Sequence, residues 1–316
     1  MEKKIHLHTV IPEDLSGKRL DQALAFIFND YSRGRIQDWI RNGSVKLNGQ
    51  VPRQKQVVHN GDTVEIHAEL QLKVLDVPEK IPLDIIYEDK QIIILNKPAG
   101  LVVHPGAGNR EHTLLNALLN HDQRLNKIPR AGIVQRLDKD TTGIMIVART
   151  LNAHTDLVDQ LQKRSIHREY QAIVSGVMTA GGTIDLPLGR HPRKRTHMAV
   201  VENGKEAITH FRIIRKFRTH THLRINLETG RTHQIRVHLA HLKYPILGDP
   251  VYAGRARLPK GASDELVSEI RNFPRQALHA ASISLIHPES QETMKFECPL
   301  PADMQHLLEV LDKYDS

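Results

Sequence analysis

The densest group of reactive side chains lies in Gly132-Ile133-Val134-Gln135-Arg136-Leu137-Asp138-Lys139-Asp140-Thr141-Thr142-Gly143. Two carboxylates, Asp138 and Asp140, stand two residues apart with Arg136 ahead of them and Lys139 between them, just ahead of a glycine and the apolar run 144–148. The group therefore belongs on a loop entering a strand, a usual home for catalysis. Asp138 is the candidate nucleophile or base. Either role needs the ionised form, which a neighbouring guanidinium favours. A polar turn capped by Asp140 or Thr141 is the plainer reading of the same residues. A second segment, Glu228-Thr229-Gly230-Arg231-Thr232-His233-Gln234-Ile235-Arg236-Val237-His238, reads as a strand running into a helix whose N-terminal donors suit a phosphate. A third, Arg168-Glu169-Tyr170, sits on a strand pattern, where Tyr170 is either a buried core phenol or part of a site.

Two other chemistries compete for these residues. Asp138-Lys139-Asp140-Thr141-Thr142 fits D-x-D-x-T, the loop of haloacid-dehalogenase-type phosphatases. That chemistry needs an unbroken apolar strand before the first Asp, which Gln135 and Arg136 interrupt, and a later Asp pair for Mg²⁺, which is missing. His233, His238 and His241 invite zinc, but no Cys or carboxylate completes a ligand set at the usual spacing. RNA-facing or core histidines fit better, and the same holds for His220 and His222 on one face of a strand.

Several elements must position these groups. Residues 16–67 read as a small α+β module. One helix carries Leu20, Ala23, Leu24, Ile27 and Phe28 after Ser16 as N-cap. A second follows Ser32, with Ile36, Trp39 and Ile40 on one face and Gly43 at its end. Two strands with Asn48-Gly49 and Asn60-Gly61 turns complete the module. Residues 68–82 read as a linker. From residue 83 to 316 helical and strand patterns mix without a regular βαβ cadence, which predicts an α+β fold on a mixed, largely antiparallel sheet. Residues 254–276 read as an excursion from that core.

Composition narrows the function classes. Of 316 residues, 40% are apolar and 25% charged, an ordinary globular balance. The single cysteine, Cys298, excludes a disulfide framework and points to a reducing compartment, hence a cytoplasmic location. No run of about 18 apolar residues is present, and the first residues lack a secretory apolar region. The formal net charge is +8, yet residues 189–236 alone hold twelve Lys and Arg against three acids. That local excess suits a phosphate-rich partner, and it predicts a basic stripe flanking Asp138. Aromatic residues make up only 4%, too few for a binder that reads single strands by stacking and consistent with an enzyme gripping one base.

RLDQALA, SRGRIQDWIRNGSVKLNG and VVHNGDTVEI resemble the S4 RNA-binding fold, which implies Arg33, Arg35 and Arg41 as RNA contacts. GIVQRLDKDTTG, REY and ETGRTHQIRVHLAH, in this order, resemble the RluA-type pseudouridine synthases. ILNKPAGLVVHPG and GDPVYAGR strengthen that likeness, and RHPRKRTHMAV and RLPKGAS point to one branch of the family. Gln135 stands where relatives commonly carry His.

The resemblance implies an isomerase that converts uridine to pseudouridine. No redox change occurs and no leaving group departs, so no cofactor and no metal are expected. It makes Asp138 the catalytic carboxylate, Arg236 its partner, and Tyr170 the ring that stacks on uracil and helps remove the C5 proton. Ile235 would pack the other side of the base, and Arg136 would fill the space left by a flipped nucleotide. The implied substrate is 23S ribosomal RNA, in the loop of helix 69, free or within the large subunit or its precursor. Stem phosphates would be gripped by the S4 residues and by Arg190, Arg193, Lys194, Arg195, Arg231 and His233. A monomer with no membrane partner is expected. A sister specificity within the family, or a non-catalytic RNA-binding ribosome assembly factor, stays open on the sequence.

Overall fold

The computed structural model describes residues 3–28, 31, 33–53, 55–70, 77–106, 109–194, 196–254, 258 and 261–315. They form two units, Met1–Asp76 and Val77–Ser316. In the first, β1 (Lys3–Val10), α1 (Leu20–Ile27), α2 (Arg33–Arg41), β2 (Val45–Leu47) and β3 (Thr63–Leu70) follow in order. The strands pair antiparallel as β1-β3-β2. Leu20, Leu24, Ile36, Trp39 and Ile40 bury one face of each helix against Ile5, Val45, Val64 and Ile66. The end of α2 is a Schellman turn. Gly43 (φ 80°) donates to Ile40 O at 3.4 Å and Ser44 to Trp39 O at 2.9 Å.

Some local expectations for this unit need correction. Ser16 does not cap α1. Arg19 occupies the N-cap without a side-chain capping bond, and Ser16 Oγ instead accepts the Asn60 N–H at 3.2 Å. Strand β1 lies ahead of the expected span 16–67, and β3 continues through 68–70 of the expected linker. Ser32 and residues 71–76 lie outside the described residues.

The second unit is built on a nine-stranded sheet. Its strands are β4 (Asp84–Glu88), β5 (Ile92–Lys97), β6 (Thr142–Ala148), β7 (His167–Ser175), β8 (Gly182–Asp185), β11 (Ile208–Lys216), β12 (His220–Leu227), β13 (Leu278–Ile286) and β14 (Thr293–Glu297). The order is β4-β5-β6-β13-β7-β12-β11-β8, with β14 also on β13. Among the described residues only β13 and β6 run parallel, so the sheet is mixed and mostly antiparallel. A separate hairpin joins β9 (Leu188–Arg190) and β10 (Met198–Val200). The helices are α3 (Leu114–His121), α4 (Leu151–Gln162), α5 (Gln234–His241), α6 (Asp264–Asn272) and α7 (Ala302–Tyr314).

Strand β6 reads as an unbroken apolar run because both its faces are covered. Met145 and Val147 join Ile93 and Leu95 in one core, whereas Ile144 and Ile146 join Ile92 and Ile94 in another. Helix α4, capped by Thr150 Oγ1 on Ala153 N–H at 3.1 Å, covers the second core with Ala153 and Leu157. Helices α3, α5, α6 and α7 cover the first. Residues 254–276 are therefore not an excursion throughout. Leu266 and Ile270 of α6, together with Phe273, are buried in the main core, while 255–257 and 259–260 lie outside the described residues. Among the described residues, no helix is long and apolar enough to cross a membrane.

Candidate active site

Asp138 lies on the segment that enters β6, and several groups fix that segment. Leu137 is buried, and Thr141 N–H donates to Asp138 O at 3.1 Å to close a turn. Gly143, at φ 111°, lets β6 meet β13 closely, since a Cβ there would lie 2.2 Å from Ala280 O. Lys97, at the end of β5 and fully buried, donates from Nζ to Lys139 O at 2.8 Å, Pro98 O at 2.7 Å and Leu101 O at 3.0 Å. Burial pushes its ammonium down to about 7, against the pull of Asp140 and Asp138. From the far end of the chain, Arg275 donates to Asp140 O at 3.3 Å, and Gln276 to Thr141 Oγ1 at 3.0 Å.

Arg236, on the first turn of α5, reaches this carboxylate. Its Nη1 donates to Asp138 Oδ2 at 2.8 Å. Its Nε and Nη2 hold both oxygens of buried Asp249 at 2.7 and 2.9 Å. Burial alone would lower the guanidinium's affinity for its proton. Asp249 and Asp138 outweigh that and hold it above its ordinary range. Asp249 Oδ1 also accepts the backbone N–H of Val251 and Tyr252, which sets the Tyr252 ring 5.1 Å from the Arg236 cation. The turn before α5 is tied by Gln234. Its Oε1 accepts from Thr229 Oγ1 and Arg231 N, and its Nε2 donates to Ile208 O and Thr209 Oγ1. Gln234, Ile235 and Arg236 are all buried, so the helix opening faces protein and offers no open phosphate cradle.

Tyr170 of β7 and Ile235 are buried in the same cluster as Leu137. Burial raises the Tyr170 phenol, Arg168 pulls it down, Asp138 pushes it up, and the net shift is upward. A neutral ring is thus the resting form. Arg136 is exposed beside these groups. The structure brings Asp138, Arg236, Tyr170, Ile235 and His233 together. Lys97, Asp249, Tyr252, Gln234, Arg275 and Gln276 had no role assigned from sequence. ILNKP and GDPVY carried a signal for three of them.

The basic stripe does not run as one face. Arg190, Arg193 and Lys194 are exposed on the β9–β10 hairpin, which meets the site where Met198 N–H donates to Tyr252 Oη at 3.0 Å. Arg195 lies outside the described residues. Arg231 is exposed and donates to Glu206 O. Arg224, however, neighbours Ile225 on β12, and Ile225 pairs with Tyr170, so alternation sends Arg224 and its cross-strand partner Arg212 to the opposite face. Arg215 is bound by Asp312, and Lys216 donates to Thr179 O. In the first unit Arg33 holds buried Asp21 at 2.8 Å, Arg41 pairs with Asp38, and Arg35 is partly exposed.

The zinc and phosphatase readings also meet the structure. His238 spends Nδ1 on Thr209 and Nε2 on Leu186 O, His222 bonds Gln171, and His220 bonds Asp315. Among the described residues no group of three ligands could hold a metal ion. The mostly antiparallel sheet is not the parallel, doubly wound sheet that the phosphatase loop requires.

Comparison with known proteins agrees with this geometry. Residues 91–241 match the RNA pseudouridylate synthase family, and residues 18–64 the S4 domain. Ribosomal large subunit pseudouridine synthase D of Escherichia coli (strain K12) is 55% identical over 312 residues, covering 98% of this chain and 96% of that protein. Its namesake in Xanthomonas campestris pv. campestris is 51% identical over 302 residues, 96% and 91% of the two chains. Among solved structures, human RNA Pseudouridylate Synthase Domain Containing 4 aligns with a TM-score of 0.57 at 26% identity, over 72% of this chain and 93% of that one. Identity of this order along nearly the whole length means that the chain belongs to the RNA pseudouridylate synthase family and carries an S4 domain before its synthase domain.

Proposed function

We propose that this chain converts uridines in the helix 69 loop of 23S ribosomal RNA to pseudouridine, with Asp138 as the reacting carboxylate. The observation that carries the reading is the asymmetry of that carboxylate. Arg236 occupies Oδ2, while Oδ1 accepts no hydrogen bond among the described residues and is available to the substrate. The relatives named for large-subunit pseudouridine synthesis support the substrate class.

The reaction breaks N1–C1′, turns the uracil in place and joins C5 to C1′. The C5 proton is lost and N1 gains one, so substrate and product are isomers. Asp138 Oδ1 attacks C1′, or takes a proton from C2′ as uracil leaves. Glycosidases need a second carboxylate for a departing group and a water, whereas here the base stays bound. Tyr170 and Ile235 sandwich the uracil. The raised phenol of Tyr170 suits stacking, and removal of the C5 proton by it needs the bound substrate to change that environment. Arg136, exposed, fills the gap in the RNA stack. The hairpin cations Arg190, Arg193 and Lys194 bind flanking phosphates, and the S4 unit adds a second handle. The chain acts as a monomer in the cytoplasm on the rRNA or the large-subunit precursor.

Asp138→Asn tests the assignment. Pseudouridine mapping by carbodiimide treatment and primer extension should lose the helix 69 signals, while RNA affinity stays within a few-fold. Normal pseudouridine formation by that variant would sink the reading.

A further inference from the structure

The free oxygen of Asp138 lies near the imidazole of His233. His233 Nε2 lies 3.8 Å from Oδ1, too far for a hydrogen bond. The orientation of this imidazole is set from behind. Its Nδ1 is 2.8 Å from Tyr252 Oη, which already accepts the Met198 N–H at 3.0 Å. The Asp138 carboxylate favours the tautomer with its proton on Nε2, and the Tyr252 hydroxyl then donates to Nδ1. Burial outweighs the pull of Asp138 and, with Arg236, disfavours a second proton. The backbone also bears a cost for this placement, because His233 is left-handed at φ 56° and ψ 22°, a region that Asn or Gly occupies with less strain.

An acceptor and a donor 3.8 Å apart leave room for one hydroxyl oxygen within hydrogen-bond reach of both. That hydroxyl would donate to Oδ1 and accept from Nε2–H. If Asp138 reacts at C1′ or C2′, the 2′-hydroxyl is the substrate hydroxyl nearest to its carboxylate. We propose that His233, held by Tyr252, receives the ribose 2′-hydroxyl of the target uridine, and so makes the site specific for ribonucleotides. The 2′-hydroxyl is both donor and acceptor, and it is the group that separates RNA from DNA at a single position. His233 is then a specificity-determining residue and Tyr252 a positioning residue. Asp249 joins the two halves of the arrangement, since it holds both the Tyr252 backbone and Arg236.

The inference rests on Asp138 being the reacting carboxylate, and the test separates the two. The full chain is given two stem–loop RNAs that differ only in a ribo or 2′-deoxy sugar at the target uridine, and their dissociation constants are measured. Wild type should prefer the ribo form by about tenfold, the worth of one good hydrogen bond. His233→Asn, which tolerates the left-handed backbone but falls short of the hydroxyl, should weaken the ribo form and leave the deoxy form unchanged, bringing the ratio near one. Tyr252→Phe should lower the ratio part of the way. An equal loss on both RNAs, or an unchanged ratio, overturns the proposal. Asp138→Asn, assayed for pseudouridine alongside, reports failure of the underlying reading on its own.

Discussion

A buried lysine is one of the groups that hold the loop of the proposed reacting carboxylate. Lys97 Nζ ties Lys139 O to Pro98 O and Leu101 O, so the loop of Asp138 and the loop after β5 share one clamp. Lys97→Met keeps the volume but leaves three carbonyls without their donor. It should cost about 2–4 kcal/mol of stability by denaturant titration. Where the variant folds, kcat should fall about 10- to 100-fold, as expected for a misplaced reacting group. Only the protonated amine can serve three carbonyls. Wild-type kcat should therefore decline as pH rises past about 7, where Lys97 loses its proton, and Lys97→Met should lack that limb. Asp249→Asn tests the other anchor. It removes the bidentate partner of Arg236, and kcat should fall about 10- to 100-fold in single-turnover assays.

At the scale of elements, the contact of β6 with β13 decides whether the site can form. Gly143→Ala would drive a methyl group into the Ala280 carbonyl and force a side chain into φ 111°. Loss of cooperative unfolding, or a drop in stability of at least about 2 kcal/mol, is expected and can be read by thermal melting. Much of this layer was legible beforehand. The helix at 151–162 is marked in the sequence by Thr150 and its apolar spacing, and β5 and β6 by their apolar runs. The strands β8, β9 and β10, of three or four residues, are too short to show a period. Helix α6 was hidden by the Gly- and Pro-containing stretch before it, though Ser263 caps it and Leu266 and Ile270 mark its inner face. In the site, residues carrying charge at a motif were readable. Buried anchors such as Arg275 were not, because nothing local marks a surface residue type that folding turns inward.

For the whole molecule, charge and pH dependence divide by place. Arg193→Ala and Lys194→Ala should each reduce the slope of log Kobs against log salt by about one, while Arg212→Ala, on the face away from Tyr170, should leave it unchanged. Stability should fall in mild acid. Burial holds His222 down to about 4, and burial likewise lowers His238 and His279, so the unfolded chain binds more protons as pH falls from about 6.5 towards 4. His222→Gln should flatten that dependence by about one proton in denaturant titrations across this window.

The parallel seam also sets an order in time. Thr142 and Gly143 meet His279 and Ala280, and the loop just before them is pinned by Arg275 and Gln276. A ribosome making this chain must release nearly nine-tenths of it before those partners exist. The N-terminal unit, whose core uses only its own residues, is complete long before that. A nascent chain thus completes its S4 unit first and its synthase sheet last, so an interrupted product would carry the one without the other.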